Sequence, residues 1–336
     1  MQKAAVVTAL NRVELHDLDR PVPAPGEALL RVEKVGVCGT DLHVFDGSYP
    51  TPLPVVLGHE ISAIVEELPA DGETTLRVGD RVAVEPVTSC GTCIACRRGR
   101  RNACRAMVAV GLHRPGGLQQ HLTAPLANCH PTGDLPAEVA ALAETMSVSL
   151  RAVTRPRVDS DDHVVVLGAG PIGLGAVIAA RDIGAEVMVL DLQESRRALA
   201  RELGAAETVA HLAELPEQVQ RWTDGEGATV VIEATGVPAV AEAAYDIAAP
   251  AGRISMVGVS ERSMTISMRP ITRKELDVYG SKATLDFPAA VALARRQRDA
   301  VAKLISHRFP LAEAEHALRF ALEHPEQVVK ALIEVD

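Results

Sequence analysis

Aromatic side chains are nearly missing from this sequence, which holds one Trp, three Tyr and four Phe in 336 residues. A core of ordinary size must then be built from Ala, Val, Leu and Ile. Positive charge is also in deficit: 34 Lys and Arg stand against 44 Asp and Glu, a net charge of −10. Such a field repels nucleic acid and anionic membrane surfaces and argues against either as a partner. Internal repeats and low-complexity tracts are absent. The opening residues, MQKAAVVTALNRVEL, lack the apolar core and small-residue cleavage site of a secretory signal, so a cytoplasmic protein is expected. One uncharged run, Val164 to Ala180, approaches the length of a membrane span. Its glycines and Pro171 fit a buried parallel strand running into a helix instead.

What is present divides the chain in two, as its length leads one to expect. Residues 1–150 carry short β-like runs, such as Ala28 to Val35 and Arg81 to Val84, separated by Pro and Gly. From residue 151 to 286 the texture alternates apolar strand, glycine turn and Ala-rich helix, which means a parallel sheet with crossover helices. Strands are expected at Thr229 to Glu233 and at Arg253 to Val257, each ending in small residues where open α/β sheets bind ligands. Residues 287–336 read as helix, strand, helix and strand, and are expected to return to the first domain.

Four of the six cysteines fall in the run C-G-T-C-I-A-C-R-R-G-R-R-N-A-C, at Cys90, Cys93, Cys96 and Cys104. Two-residue gaps let successive thiolates converge on one tetrahedral ion, so a structural zinc is expected. Disulfides are disfavoured in the cytosol. Arg97, Arg98, Arg100 and Arg101 are placed to offset the negative charge of four bound thiolates. A zinc ribbon gripping phosphates with the same arginines needs a broad basic face, which this acidic chain lacks. Cys129 has no partner in sequence and is expected in the core.

A second metal candidate joins Cys38, in V-C-G-T-D-L-H, to His59 and Glu60, in L-G-H-E. Three protein ligands that leave one position open are the mark of a catalytic zinc. The run G-A-G-P-I-G, comprising Gly168, Gly170, Pro171, Ile172 and Gly173, follows the strand VVVL and opens a helix whose amides face an incoming pyrophosphate. Asp191 follows 23 residues after Gly168, where a carboxylate accepts both ribose hydroxyls and repels a 2′-phosphate. NAD is therefore favoured over NADP. Arg196 and Arg197 are the reason for caution, since an arginine there answers a phosphate; Arg197 also reads as part of a solvated helix face. Thr235, Gly236, Val257 and Gly258 are expected to line the nicotinamide pocket.

In their order along the chain, C-G-T-D-L-H, G-H-E, the four-cysteine lobe, G-A-G-P-I-G and Asp191 resemble the zinc-containing medium-chain alcohol dehydrogenases. The stretch A-A-L-A-E-T-M-S-V-S-L places Glu144 where simple alcohol dehydrogenases carry a second zinc cysteine. That makes the likeness closest to the polyol, sugar-acid and threonine dehydrogenases.

The resemblance implies an α/β protein with a GroES-like β-rich catalytic domain and a doubly wound Rossmann sheet. It implies two zinc ions per chain, the catalytic one held by Cys38, His59 and a carboxylate, with Glu60 and Glu144 both eligible. It also implies hydride transfer from a secondary hydroxyl of a polyol, sugar acid or cyclitol to NAD+. Thr40 is then the first proton relay and His43, whose imidazole titrates near neutrality, the last. Asp41 orients His43 or caps a helix, capping being favoured. An amino-alcohol such as L-threonine is the alternative substrate, and a non-catalytic nucleotide-binding protein is the alternative of another class. Phe45 and Tyr49 are the aromatics expected near the pocket, and V-G-L-H-R-P-G-G around His113 resembles both substrate groups. Lys282 is a candidate for meeting a carboxylate or hydroxyls, although exposure is its ordinary fate. Relatives of this type form homodimers or homotetramers, and the strand from Arg253 to Val259 is the candidate for pairing across a two-fold axis.

Overall fold

The computed structural model describes residues 1–70, 74–283 and 285–335. The chain forms two compact units, Met1–Glu144 with Leu285–Asp336, and Thr145–Thr284.

In the first unit the described residues build a seven-stranded, mainly antiparallel sheet. Its order is Cys129–Pro131, Arg81–Val84, Glu60–Glu67, Glu27–Gly36, Lys330–Glu334 and Ile305–Pro310, with His121–Pro125 also paired to Glu27–Gly36. Val35, Ile61, Val65, Val82, Val84 and Ile333 fill its core from alternate strand positions. The chain's end thus becomes an inner strand, and its register decides the site: Gly36 pairs with Glu60 on one side and with Leu332 on the other. Cys38 lies just past Gly36, His59 just before Glu60, and Lys330 two residues before Leu332. Three segments far apart in sequence are thereby brought to one edge of one sheet.

The second unit is a parallel sheet in the order Glu207–Val209, Glu186–Leu190, His163–Leu167, Ala228–Glu233, Ala248–Met256 and Asp277–Gly280. Chain order reverses beside His163–Leu167, which makes the end of that strand the switch point of a doubly wound fold. Val164 to Ala180 is accounted for by this strand and the helix Pro171–Ile183, in which Gly173 to Ala180 are buried. Among the described residues no helix is long and apolar enough to cross a membrane.

One expectation is corrected. The strand ending at Met256 pairs with Ala228–Glu233 on one side and Asp277–Gly280 on the other. Its backbone donors and acceptors are engaged, so it offers no edge to a second copy. The open edge on that side is Asp277–Gly280.

Candidate metal centres and cofactor site

Cys38 precedes the helix Gly39–Asp46, and Asp41 in that helix's first turn accepts the Cys38 amide at 2.9 Å. Asp41 is therefore the capping residue. Its other oxygen accepts the Gly58 amide at 3.2 Å and lies 3.4 Å from His59 Nδ1, so it steadies His59 and not His43.

The ligand atoms of Cys38, His59 and Glu60 lie within 4.8 Å of one another. Burial works against an imidazolium at His59, but the Asp41 carboxylate and Cys38 outweigh it and raise its pKa well above the usual histidine value. Glu60 is buried, and its Oε1 accepts the equally buried Lys330 ammonium at 2.6 Å. Lys330 also donates to the Val37 carbonyl at 3.1 Å. The second Glu60 oxygen is buried without a hydrogen-bond partner and lies over Gly36, where a Cβ would overlap it. His59 Nδ1 faces the Asp41 carboxylate, which leaves the other ring nitrogen for a metal. A thiol, an imidazole and a carboxylate whose second oxygen is buried and unsatisfied suit a dication, so the residues fit a zinc ion.

Glu144 stands outside that three-residue set. Burial pushes its carboxyl up to about 7; His59 opposes the shift and the Glu60 carboxylate adds to it. Sequence reasoning left Glu60 and Glu144 equal, whereas the geometry joins Glu60 directly to Cys38 and His59. It also missed Lys330, whose run V-V-K-A-L-I-E-V reads as an ordinary strand and gives no local signal.

Thr40 Oγ1 lies 3.8 Å from Cys38 Sγ. His43 is exposed, with Nδ1 2.9 Å from Ser48 Oγ. Tyr49 is exposed, and Phe45 is fully buried in the core. Lys282 is exposed.

The four lobe cysteines form the second cluster. Cys90 and Cys104 sulfurs are 3.5 Å apart, as are those of Cys93 and Cys96. The Thr92 hydroxyl and nearby amides hold the Cys90 thiol down to about 5, whereas burial pushes Cys96 up to about 11. Four thiols converging within 4.8 Å of one another suit a single cation, and the set fits a structural zinc. The arginines serve it less directly than expected. Arg97 bonds the Thr92 carbonyl, and Arg101 reaches Glu85 and the Leu285 carbonyl. Cys129 is a core residue, its thiol pushed up to about 12 by burial.

In the second unit, Gly170 precedes the helix Pro171–Ile183 and Pro171 starts it. Gly173 packs on the Gly168 carbonyl where a Cβ would collide, so the turn lies flat against the helix start. Beyond Gly170 the space is open. An open turn at a helix N-terminus fits a pyrophosphate. Asp191 ends the neighbouring strand and accepts the Ala169 amide at 2.8 Å and the Gln193 amide at 2.9 Å. Arg196 Nη1 is 3.9 Å from Asp191. Arg197 is no solvated face: it donates to the Asp191 carbonyl at 2.6 Å and pairs with Glu194. Thr235, Val257 and Gly258 follow the next two strands, all partly accessible.

Residues 24–136 match the model of the alcohol dehydrogenase GroES-like domain, and residues 171–296 that of the zinc-binding dehydrogenase. The 2-dehydro-3-deoxy-L-galactonate 5-dehydrogenase of Pseudoalteromonas atlantica is 34% identical over 97% of this chain and 96% of its own. This chain belongs to the zinc-containing medium-chain alcohol dehydrogenases. Within that superfamily it stands near the polyol and sugar-acid enzymes, a sorbitol dehydrogenase of Halalkalibacterium halodurans being 32% identical over 90% of this chain and 91% of its own. A zinc-binding dehydrogenase from Sinorhizobium meliloti, solved bound to NADP, superposes with a TM-score of 0.90 at 30% identity, covering 100% of this chain and 99% of that one. The dehydrogenase is thus an oxidoreductase acting on alcohol groups.

Proposed function

We propose that this dehydrogenase oxidises a secondary hydroxyl of a polyol or sugar acid with NAD+ as the hydride acceptor, holding two zinc ions per chain. The observation that carries the reading is the meeting of Cys38, His59 and Glu60 at one buried point beside Thr40. The substrate class rests on relatives named for galactonate-type acids and sorbitol. A zinc ion held there supplies the Lewis acidity that eases loss of the hydroxyl proton.

The chain's residues do the rest. Asp41 fixes the helix start and His59 together. Glu60, pinned by Lys330, presents its free oxygen, and Glu144 stands behind as a second carboxylate. Thr40 accepts the substrate proton, and exposed His43 releases it to solvent. The turn from Gly168 to Gly173, with Pro171 and Ile172, receives the pyrophosphate. Asp191 takes the ribose hydroxyls, which favours NAD+ even though the Sinorhizobium meliloti relative binds NADP. Arg196, beside Asp191, is the residue that would answer a 2′-phosphate. Thr235, Val257 and Gly258 line the nicotinamide side.

Cytoplasmic residence belongs to the same reading, because thiols kept for metal suit a reducing compartment. A homodimer or homotetramer does too. The open edge Asp277–Gly280, with Val278 exposed, is the surface for it, and a monomer mass by light scattering would remove that element.

The test follows reduced cofactor by absorbance, with zinc-loaded protein and a panel of polyols, aldonic acids, cyclitols, threonine and simple alcohols. Turnover of a polyhydroxylated substrate that is lost in Cys38→Ser is the expected result. Turnover confined to threonine would overturn the substrate class, and one zinc per chain without turnover would favour a nucleotide-binding protein.

A further inference from the structure

The switch-point end of the parallel sheet holds a buried carboxylate that none of the chemistry above uses. Glu233 is the last residue of Ala228–Glu233 and is 1% exposed. Its Oε1 accepts three donors from the loop that follows: the Thr235 amide at 2.7 Å, the Gly236 amide at 3.0 Å and the Thr235 hydroxyl. Its backbone carbonyl accepts the Val257 and Gly258 amides, both at 2.9 Å, from the loop after the next strand. Oε2 lies against Gly258, so closely that a Cβ there would overlap it. The Glu233 side chain therefore grips the loop after the fourth strand of the doubly wound order and packs on the loop after the fifth, which its backbone carbonyl also holds.

The grip extends to the glycine-rich turn. A Cβ placed on Gly168 would stand 2.6 Å from Thr235 Cγ2, so the Thr235 methyl is packed on the turn. The Thr235 hydroxyl, which donates to Glu233, also accepts the Val237 amide at 3.0 Å and opens the helix Pro238–Ile247. A carboxylate kept at almost no exposure needs donors, and here two loop amides and one hydroxyl supply them to Oε1, while Oε2 is buried without a partner.

We propose that Glu233 is a positioning residue for the nicotinamide half of the cofactor, holding the loops at Thr235–Gly236 and Val257–Gly258 in the shape that receives it. In a doubly wound sheet the first two strand ends serve one nucleoside and the strand ends past the switch point serve the other. Glu233 therefore shapes one half of the dinucleotide site and leaves the Asp191 half alone. This inference rests on the reading of the 168–173 turn as a dinucleotide site.

The experiment measures binding of NADH, NADPH and AMP to the purified zinc-loaded protein by fluorescence and calorimetry, together with Tm and zinc content. Glu233→Ala is expected to raise the Kd of the preferred reduced cofactor roughly tenfold, the size of one charged hydrogen bond. AMP binding should stay within about twofold and zinc content should not change. Glu233→Gln keeps an oxygen able to accept the loop amides and should restore most of the affinity. Equal losses for NADH and AMP, or a lower Tm with unchanged Kd values, would assign Glu233 a structural role only. If Glu233→Ala does not fold, Thr235→Val removes one donor from the network and should weaken NADH selectively; an unchanged NADH Kd overturns the proposal. Wild-type protein that binds neither dinucleotide overturns the cofactor reading itself, whereas wild-type preference for NADPH overturns only the choice of NAD.

Discussion

The Lys330 ammonium meets the Glu60 carboxylate at 2.6 Å with both side chains almost wholly buried. Coulomb attraction offsets the desolvation of two such charges only while both are present. Lys330→Met should therefore destabilise the metal-free protein by about 3–5 kcal/mol by leaving the Glu60 charge unpaired. Added zinc should restore part of that loss, because a cation beside Glu60 replaces the missing one. Chemical denaturation with and without zinc reads both effects, and an equal deficit in the two conditions would separate Glu60 from the metal.

The two cysteine clusters should respond independently. Cys38→Ser or His59→Ala should leave about one zinc per chain, keep the fold and abolish turnover. Cys93→Ser should remove the other zinc and lower the Tm, since the lobe's sulfurs lie 3.5–3.9 Å apart around it. Elemental analysis of each variant checks the assignment. A variant of one cluster that loses both ions would show the sites to be coupled.

Cofactor choice should turn on Asp191. Asp191→Ala removes the acceptor of two amides and the charge proposed to meet the ribose. The ratio of kcat/KM for NAD+ over NADP+ should fall on the order of tenfold to a hundredfold. Arg196→Ala in that background should cost NADP+ more than NAD+. A ratio unmoved by Asp191→Ala would take the ribose contact away from this residue.

The four-cysteine lobe is latched through Glu85, which Arg101 meets at 2.5 Å and His130 at 3.2 Å. Burial works to raise the Glu85 pKa, but hydrogen bonds from His130 and Arg101 more than offset it and the net shift is downward. A carboxyl lowered in the folded state contributes stability that is full above its unfolded value, about 4.5, and is lost as pH falls through the folded value. Glu85→Gln should be less stable than wild type at pH 7 by about 1–3 kcal/mol, with the gap closing as pH falls below about 4.5. Urea midpoints across that range test the sign.

Much of the site was legible because ligand spacing is local. C-x-x-C-x-x-C and the glycine turn each sit in a short window whose geometry the backbone alone dictates, whereas C-G-T-D, G-H-E and Asp191 stand in separate segments and were linked by the order of motifs along the chain. The strands and the buried run after Val164 were legible for the same reason, since periodicity and turn residues act over a few positions. Arg197 was misread because helix-face reasoning does not see a backbone carbonyl at the end of the preceding strand.

The sequence by itself determined the two-unit class and the family resemblance, because the motifs follow one another in a set order, and it raised the zinc lobe, the catalytic ligand types and the dinucleotide turn as expectations. Only the tertiary structure decided that Lys330 neutralises Glu60, that Glu60 and not Glu144 joins Cys38 and His59, that the sheet's open edge is Asp277–Gly280, and that Glu233 grips two loops. Each of those depends on strand register and on which buried charge finds a partner, and register is set by packing across the whole sheet, which no short window contains.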